Sequence, residues 1–460
     1  MGEQLWEACK DGNVKEVRIL LQNEQINTNW QDNNNRTPFY MACEKRHIDL
    51  VKLLLKDKRI DVNKPNNYDS TPFYIACQEG RIEIVKPLLN DGRVDINKAN
   101  KSAWTPLYIA CEKGLIKIVK ELLNDQRIDT NKAENGDGFT PFYIACGQGH
   151  IEIVKLLLND PRVDINKANK DSQTPFYIAC YQGHSNIVEL LLNDNRVDKS
   201  EANNSGITPL WIACGLGKTE DVKLLLNDES VNINLPDKYD RTPFYIAVKN
   251  RHLEVMKVLL NNERVDFNQA NSYGETPFYI AVKNGHLEVM KILLNHERVD
   301  INKEKNNGWT PFWNACFYGK TEIVKLLVKD ERIDINQVDN HGDTPFYIAC
   351  DWGRIEVVKV LLNNQRLDPN KAISNEATPF YSALKKGHIE IVKLLLNDKR
   401  ISIRKKTNEG KTAIDIVKEM KYSNIVKLIQ EFDTGKHDRN HKFELIKENK
   451  CYRSKISRIF

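Results

Sequence analysis

NGHLEVMKILLNHERVDINKEKNNGWTPFWNACFYGK, residues 284–320, contains every part of a pattern that recurs along most of the chain. Thr310 before Pro311 predicts a helix start. The threonine can cap free N–H groups, and proline occupies the first turn, where its missing N–H costs nothing. Small residues such as Ala281 and Ala315 are expected to face inward and let layers approach. Gly285 ends the first helix, and Leu287, Val289, Met290, Ile292, Leu293 and Leu294 give a second helix an apolar stripe. From about Val299 to Trp309 the chain is too polar for a third helix and reads as an extended turn projecting from the body.

TPFY or a close variant begins at Thr37, Thr71, Thr105, Thr140, Thr174, Thr208, Thr242, Thr276, Thr310, Thr344 and Thr378; each step is 34 residues except the 35 between Thr105 and Thr140. The extra residue lies between Asn131 and Gly138, in the polar stretch where an insertion disturbs no helix. LWEACKDGN at Leu5–Asn13 and KTAIDIVKEM at Lys411–Met420 extend the register to thirteen units over residues 1–431, with residues 432–460 as a basic tail. The outer units are atypical, as end units with one face in water should be. Asn63, Asn97, Asn131, Asn166, Asn234, Asn268, Asn302, Asn336 and Asn370 share one register position. Short amides there should bond the backbone of their own turn or its neighbour.

The units T-P-F-Y-I-A-C-x-x-G-H-x-E-x-V-K-x-L-L-N resemble the ankyrin repeat over about residues 3–431. Tyr stands for the family's usual histidine at positions such as Tyr40, Tyr74 and Tyr279, with Trp at Trp211 and Trp313, and each unit is one residue longer than usual. The resemblance implies an all-α solenoid: a curved right-handed stack of helix-turn-helix units with projecting turns, whose concave face takes protein partners. Helix spacing of about 10 Å gives twelve steps a length on the order of 120 Å. It also raises hydroxylation of the turn asparagines, for which no residue supplies support.

The composition, 41% hydrophobic and 28% charged, is that of a folding chain, not a disordered polymer. No stretch approaches eighteen consecutive apolar residues, and the opening MGEQLWEACKDG has no secretory pattern, so no membrane span and a cytoplasmic or nuclear address are expected. Of the net charge of +5, the segment from His437 to Phe460 carries seven Lys or Arg against three Asp or Glu, or +4.

Most residues with chemical potential are explained by register. Cys9, Cys43, Cys77, Cys111, Cys146, Cys180, Cys214, Cys316 and Cys350 occupy one position, filled elsewhere by Val248, Val282 and Leu384, and read as buried thiols; Cys451 alone lies outside it. His47, His150, His184, His252, His286 and His388 share another, exchanged for Arg81, Lys218, Lys320 and Arg354, which points to hydrogen bonding or packing between units. ACGLGKT at 213–219 and ACFYGKT at 315–321 end like a phosphate loop but lack its first glycine and its preceding strand. Neither an enzyme nor a cofactor or metal site is expected. Pro87 interrupts a second helix and predicts a kink or a weaker joint near residues 81–90.

Positions that vary from unit to unit are free for recognition. They are the residue before the threonine and the pair before the interhelix glycine, and they hold Trp104, Phe139, Gln148, Tyr181, Ile207, Leu216, Trp309, Phe317, Tyr318 and Trp352. Exposed aromatics suit interface anchors. The densest group is Trp309, Phe317, Tyr318, Asp343, Asp351 and Trp352, from two adjacent layers. The expected function is that of a monomeric, non-enzymatic scaffold or adaptor holding a protein partner. A regulatory or inhibitory enzyme subunit and an effector aimed at host proteins are the alternatives, and the tail is a second candidate surface, for nucleic acid or an anionic membrane or protein.

Overall fold

The protein, a computed structural model, is described over residues 1–373, 376–419 and 429. It comprises two compact units, residues 1–271 and residues 272 onward. Among the described residues all regular structure is helical. The first unit holds eight antiparallel helix pairs, from Gly2–Asp11 with Val14–Leu21 to Pro243–Asn250 with Leu253–Leu260. The second holds four pairs, from Pro277–Asn284 with Leu287–Leu294 to Pro379–Lys385 with Ile389–Leu396, followed by the helix Ala413–Glu419.

Each pair is built by the same local chemistry. The Thr37 hydroxyl accepts the Tyr40 N–H at 3.1 Å with Pro38 beside it in the first turn, and the Thr378–Tyr381 copy repeats this at 3.2 Å. Gly149 then turns the chain at φ 79°, and a Cβ there would lie 2.7 Å from Cε1 of His184 in the following layer. Glycine at that site therefore meets both a left-handed backbone and a close neighbour. Phe142, Ala145, Cys146, Ile153, Val154 and Leu157 fill the layer core at 0–1% exposure. A repeat contacts only its neighbours, so its stability depends on the interfaces these side chains form.

Three polar ladders tie layer to layer. His47, His150, His184 and His252 donate through Nε2 to first-helix carbonyls of the preceding layer at 2.9–3.0 Å. Where the histidine is exchanged, Lys218 reaches the Gln182 carbonyl at 3.0 Å and Arg354 the Phe317 carbonyl at 2.8 Å, so these two layers keep the donor, whereas Arg81 Nε is buried without a partner. Lys218, the lysine of the phosphate-loop look-alike, is thus occupied structurally. The turn asparagines form the second ladder: Asn63 Nδ2 donates to the Arg93 carbonyl at 2.7 Å, and its Oδ1 accepts the Asp95 N–H at 2.8 Å. Their partners lie in the neighbouring turn.

The third ladder is an arginine staple. In the first unit Arg59, Arg93, Arg127, Arg162, Arg196 and Arg264 donate to the carbonyls of Leu21, Leu55, Leu89, Leu123, Leu158 and Leu226, the last residues of second helices or one before, at 2.7–2.8 Å. In the second unit Arg332 and Arg400 do the same to Leu294 and Leu362 at 2.5–2.6 Å, and Arg366 reaches Val328, the residue just after its helix, at 2.9 Å. An aspartate two residues earlier usually grips the guanidinium from its own turn, as Asp160 does Arg162 at 2.6 Å. The cation also faces the negative end of a helix.

The helix carrying Pro87 runs unbroken over Ile82–Leu89. It closes with the Asn90 N–H on the Lys86 carbonyl at 3.3 Å, as its counterpart Ile151–Leu158 closes at Asn159. Ile84, Val85 and Leu88, all at 0% exposure, anchor this helix in the core on both sides of the proline. The extra residue before Thr140 is absorbed by Glu134. Its longer carboxylate accepts the N–H groups of Gly138 and Phe139 at 2.6 and 3.1 Å, in place of the asparagine side chain that closes sibling turns.

Candidate functional site

The register residues leave little free chemistry. The nine cysteines are buried and unpaired. Burial pushes each thiol well above its ordinary pKa, Cys9 to about 12, so they stay protonated and poorly nucleophilic. Among the described residues no group of three or more His, Cys, Asp or Glu is placed to hold a metal ion, and no helix is long and apolar enough to cross a membrane. Cys451 and the basic tail 432–460 lie outside the described residues.

Departures from register are informative because each changes the hydrogen-bond logic of its layer. In the usual layer the buried first-helix tyrosine takes a donor from an asparagine 26 residues on. Asn66 to Tyr40, Asn100 to Tyr74 and Asn271 to Tyr245 do so at 3.0–3.1 Å. Where tryptophan replaces tyrosine, as at Trp6, Trp211 and Trp313, residue 26 further on is Asp32, Asp237 or Asp339. The indole N–H goes instead to the carbonyls of Arg36, Arg241 and Asp343 at 2.8–3.1 Å. A phenol can use an amide donor; an indole, donor only, needs an acceptor.

In the second unit the tyrosine rule shifts beside a tryptophan layer. Lys305 stands where the asparagine partner of Tyr279 would be, and the Tyr279 hydroxyl receives Asn314 Nδ2 at 2.9 Å instead. Lys305 lies over Trp309, Nζ 4.4 Å from the ring centre. Trp309 stacks on Trp313 at 4.1 Å, Phe317 touches both at 5.3–5.4 Å, and Trp352 and Tyr318 each lie 4.8 Å from Phe317. Five rings from two layers thus form one cluster, and Tyr318 and Trp352 are each 51% exposed.

The acids differ in role. Asp343 is raised to about 6, first by burial and then by Asp339. Asp351 is largely committed: it accepts the Ser382 hydroxyl and lies 3.8 Å from Lys386. In the first unit Trp104 packs on Tyr108 at 5.5 Å and Phe139 on Tyr143 at 4.6 Å, while Tyr181 is 43% exposed. Among the described residues no ring contact joins these three. Gln148 and Leu216 are exposed and Ile207 is half-buried, as single positions.

The family model described as ankyrin repeats in three copies matches residues 4–66, 73–169, 126–201, 161–237, 195–271, 229–305 and 296–373, and the single ankyrin repeat model matches 375–408. The chain belongs to the ankyrin repeat family. No curated protein matches it individually. Within its ankyrin framework, sequence reasoning missed Tyr68 and Tyr273, exposed at the turns by 71% and 68%. It also missed the buried polar pairs Tyr279–Asn314 and Ser185–Asp221. The signal for the pairs was present: Asn314 and Asp221 break the isoleucine register of their helices.

Proposed function

We propose that this ankyrin chain is a non-enzymatic scaffold or adaptor whose partner docks on the first-helix and turn surface of the second unit, anchored by Trp309, Phe317, Tyr318 and Trp352. The observation that carries the reading is that Tyr318 and Trp352 are both half exposed while packed on a shared ring cluster. The repeat does not require aromatics there. Rigid, partly buried rings lose little side-chain freedom on binding, and aromatic residues dominate interface hot spots. Lys305 and Asp343 flank the rings with both charges and suit a partner that presents an apolar side chain among polar neighbours. Nine reduced thiols fit a reducing compartment such as the cytoplasm or nucleus.

Capture from native extract with the wild-type chain and with a Trp309→Ala, Tyr318→Ala, Trp352→Ala variant of matched helicity tests the reading. A partner retained by the first and lost by the second supports it. Equal capture by both removes it.

A further inference from the structure

One joint in the first unit lacks the arginine staple. The turn that should supply it has Ser230 where siblings carry arginine, and the carbonyl left facing it is that of Leu192, at the end of helix Ser185–Leu192. The same joint departs twice more. Lys199 replaces the buried isoleucine seen at Ile96 and Ile165, and Ser200 replaces the ladder asparagine seen at Asn97 and Asn166.

Two of these residues take over part of the arginine's work. Asp228 Oδ1 accepts the Ser230 N–H at 2.9 Å and its hydroxyl at 2.6 Å, while Oδ2 accepts Lys199 Nζ at 2.6 Å. Elsewhere Arg93 fills both oxygens of Asp91 through Nε and a terminal nitrogen. Ser230 thus keeps the contact within its turn, while Lys199, from the preceding turn, carries an ion pair across the joint. The Ser200 hydroxyl adds a second tie across it, accepting the Asn232 N–H of the next turn at 3.3 Å, but the staple's own acceptor stays open: among the described residues no side chain donates to the Leu192 carbonyl. A cavity of about 830 Å³ lies there, lined among others by Leu192, Asn193, Arg196, Lys199, Asp228 and Ser230. Its size is that of a small-ligand pocket, about 300–1,000 Å³.

The charges permit a cation. Arg196 is paired with Asp194 and Lys199 with Asp228, and Asp198 is bonded to its own turn, so two positive groups meet three negative ones, a balance of −1. The end of helix Ser185–Leu192 adds partial negative charge.

We propose that this notch receives the guanidinium of an arginine presented by a partner protein, supplying in trans the staple that Ser230 leaves out. The Leu192 carbonyl and the Asp228 carboxylate are its acceptors. A planar fork of donors matches a carbonyl beside a carboxylate, as the sibling layers demonstrate; an ammonium is a single point charge without that geometry. The site is independent of the aromatic cluster and stands or falls apart from it.

Amide NMR of the deuterated full chain, titrated with Nα-acetyl-arginine methylamide, tests the assignment. Saturable shifts are expected at Asn193–Val197 and at Ser230, retained in Ser230→Ala, which keeps the notch open. They should be lost in Lys199→Ile/Ser230→Arg, which restores the residues of the sibling layers and so keeps the fold, and much weaker with Nα-acetyl-lysine methylamide. Absence of saturable shifts in the wild type, an equal response to the lysine probe, or shifts that persist in the double variant would each overturn it.

Discussion

Replacing Arg162 by Met tests whether the arginine staple couples neighbouring layers. The methionine keeps much of the aliphatic stem and removes four bonds: to the Leu123 carbonyl at 2.7 Å, the Asp125 carbonyl at 3.0 Å, and the two oxygens of Asp160 at 3.0 and 2.6 Å. A hydrogen bond to a charged group is worth about 1.5–3 kcal/mol net, and an exposed ion pair about 0–1 kcal/mol. The Arg162 side chain is 25% exposed, and water can reach the freed carbonyls, so the bonds do not sum. A loss of about 2 kcal/mol is expected, roughly a 30-fold shift in the local opening equilibrium. Repeat stability is a sum of layer and nearest-neighbour terms. Hydrogen exchange should therefore speed up in the two layers that meet at Arg162 and stay unchanged near residues 1–30. Asp160→Asn, which leaves both interlayer bonds in place, should lose less. Unchanged exchange beside Arg162, or an equal loss throughout the first unit, would refute the coupling.

The aspartates of the staple predict acid sensitivity. Asp57, Asp91, Asp125, Asp160, Asp194, Asp330 and Asp398 lie below the usual carboxylate range, chiefly through hydrogen bonds from their own-turn arginines. Their stabilisation is complete above the unfolded value of about 3.9 and drains away as pH falls through the lower folded values, so urea midpoints should drop steeply below about pH 4. Asp343 acts in the opposite sense. Its carboxyl is raised to about 6, so ionising it costs stability as pH climbs from about 4 to 6, and Asp343→Asn should remove that slope. Pro87→Leu, which restores an N–H and the residue found at Leu53, should stabilise its helix by up to about 3 kcal/mol and slow exchange over residues 82–90. No change in exchange there would show that the proline carries no penalty.

The layers were legible because each is specified by short-range chemistry: Thr37 before Pro38, a turning glycine, and an apolar stripe such as Ile153, Val154 and Leu157. The cysteine register was legible for the same reason, since one position repeatedly demands a small apolar volume. Pro87 reads as a helix breaker because propensity is local, whereas the packing of Ile84 and Leu88 that keeps Ile82–Leu89 helical around it is tertiary. The aromatic group at Trp309–Trp352 could be nominated from unit-to-unit variation. Its continuity could not, because it depends on Phe317 meeting Trp309 from its own layer and Trp352 from the next, a packing that the sequence does not display. The Tyr/Asn and Trp/Asp pairings, 26 residues apart, were in the sequence as a correlation, but only the opposite hydrogen-bonding needs of phenol and indole give it meaning. The notch at Ser230 is likewise visible as a missing arginine once the role of Arg162 and its siblings is known.

The most direct test of partner docking on the ring cluster is site-specific photocrosslinking in native extract. A photoreactive phenylalanine analogue would replace Tyr318 in one sample and Ile389 in another; Ile389 is 46% exposed and lies on the second helix Ile389–Leu396, not among the rings. A discrete crosslinked protein from position 318, absent from position 389 and lost when Trp309 and Trp352 are changed to Ala, is the predicted result. Crosslinking that is equal at the two positions, or that persists without the tryptophans, would contradict the account.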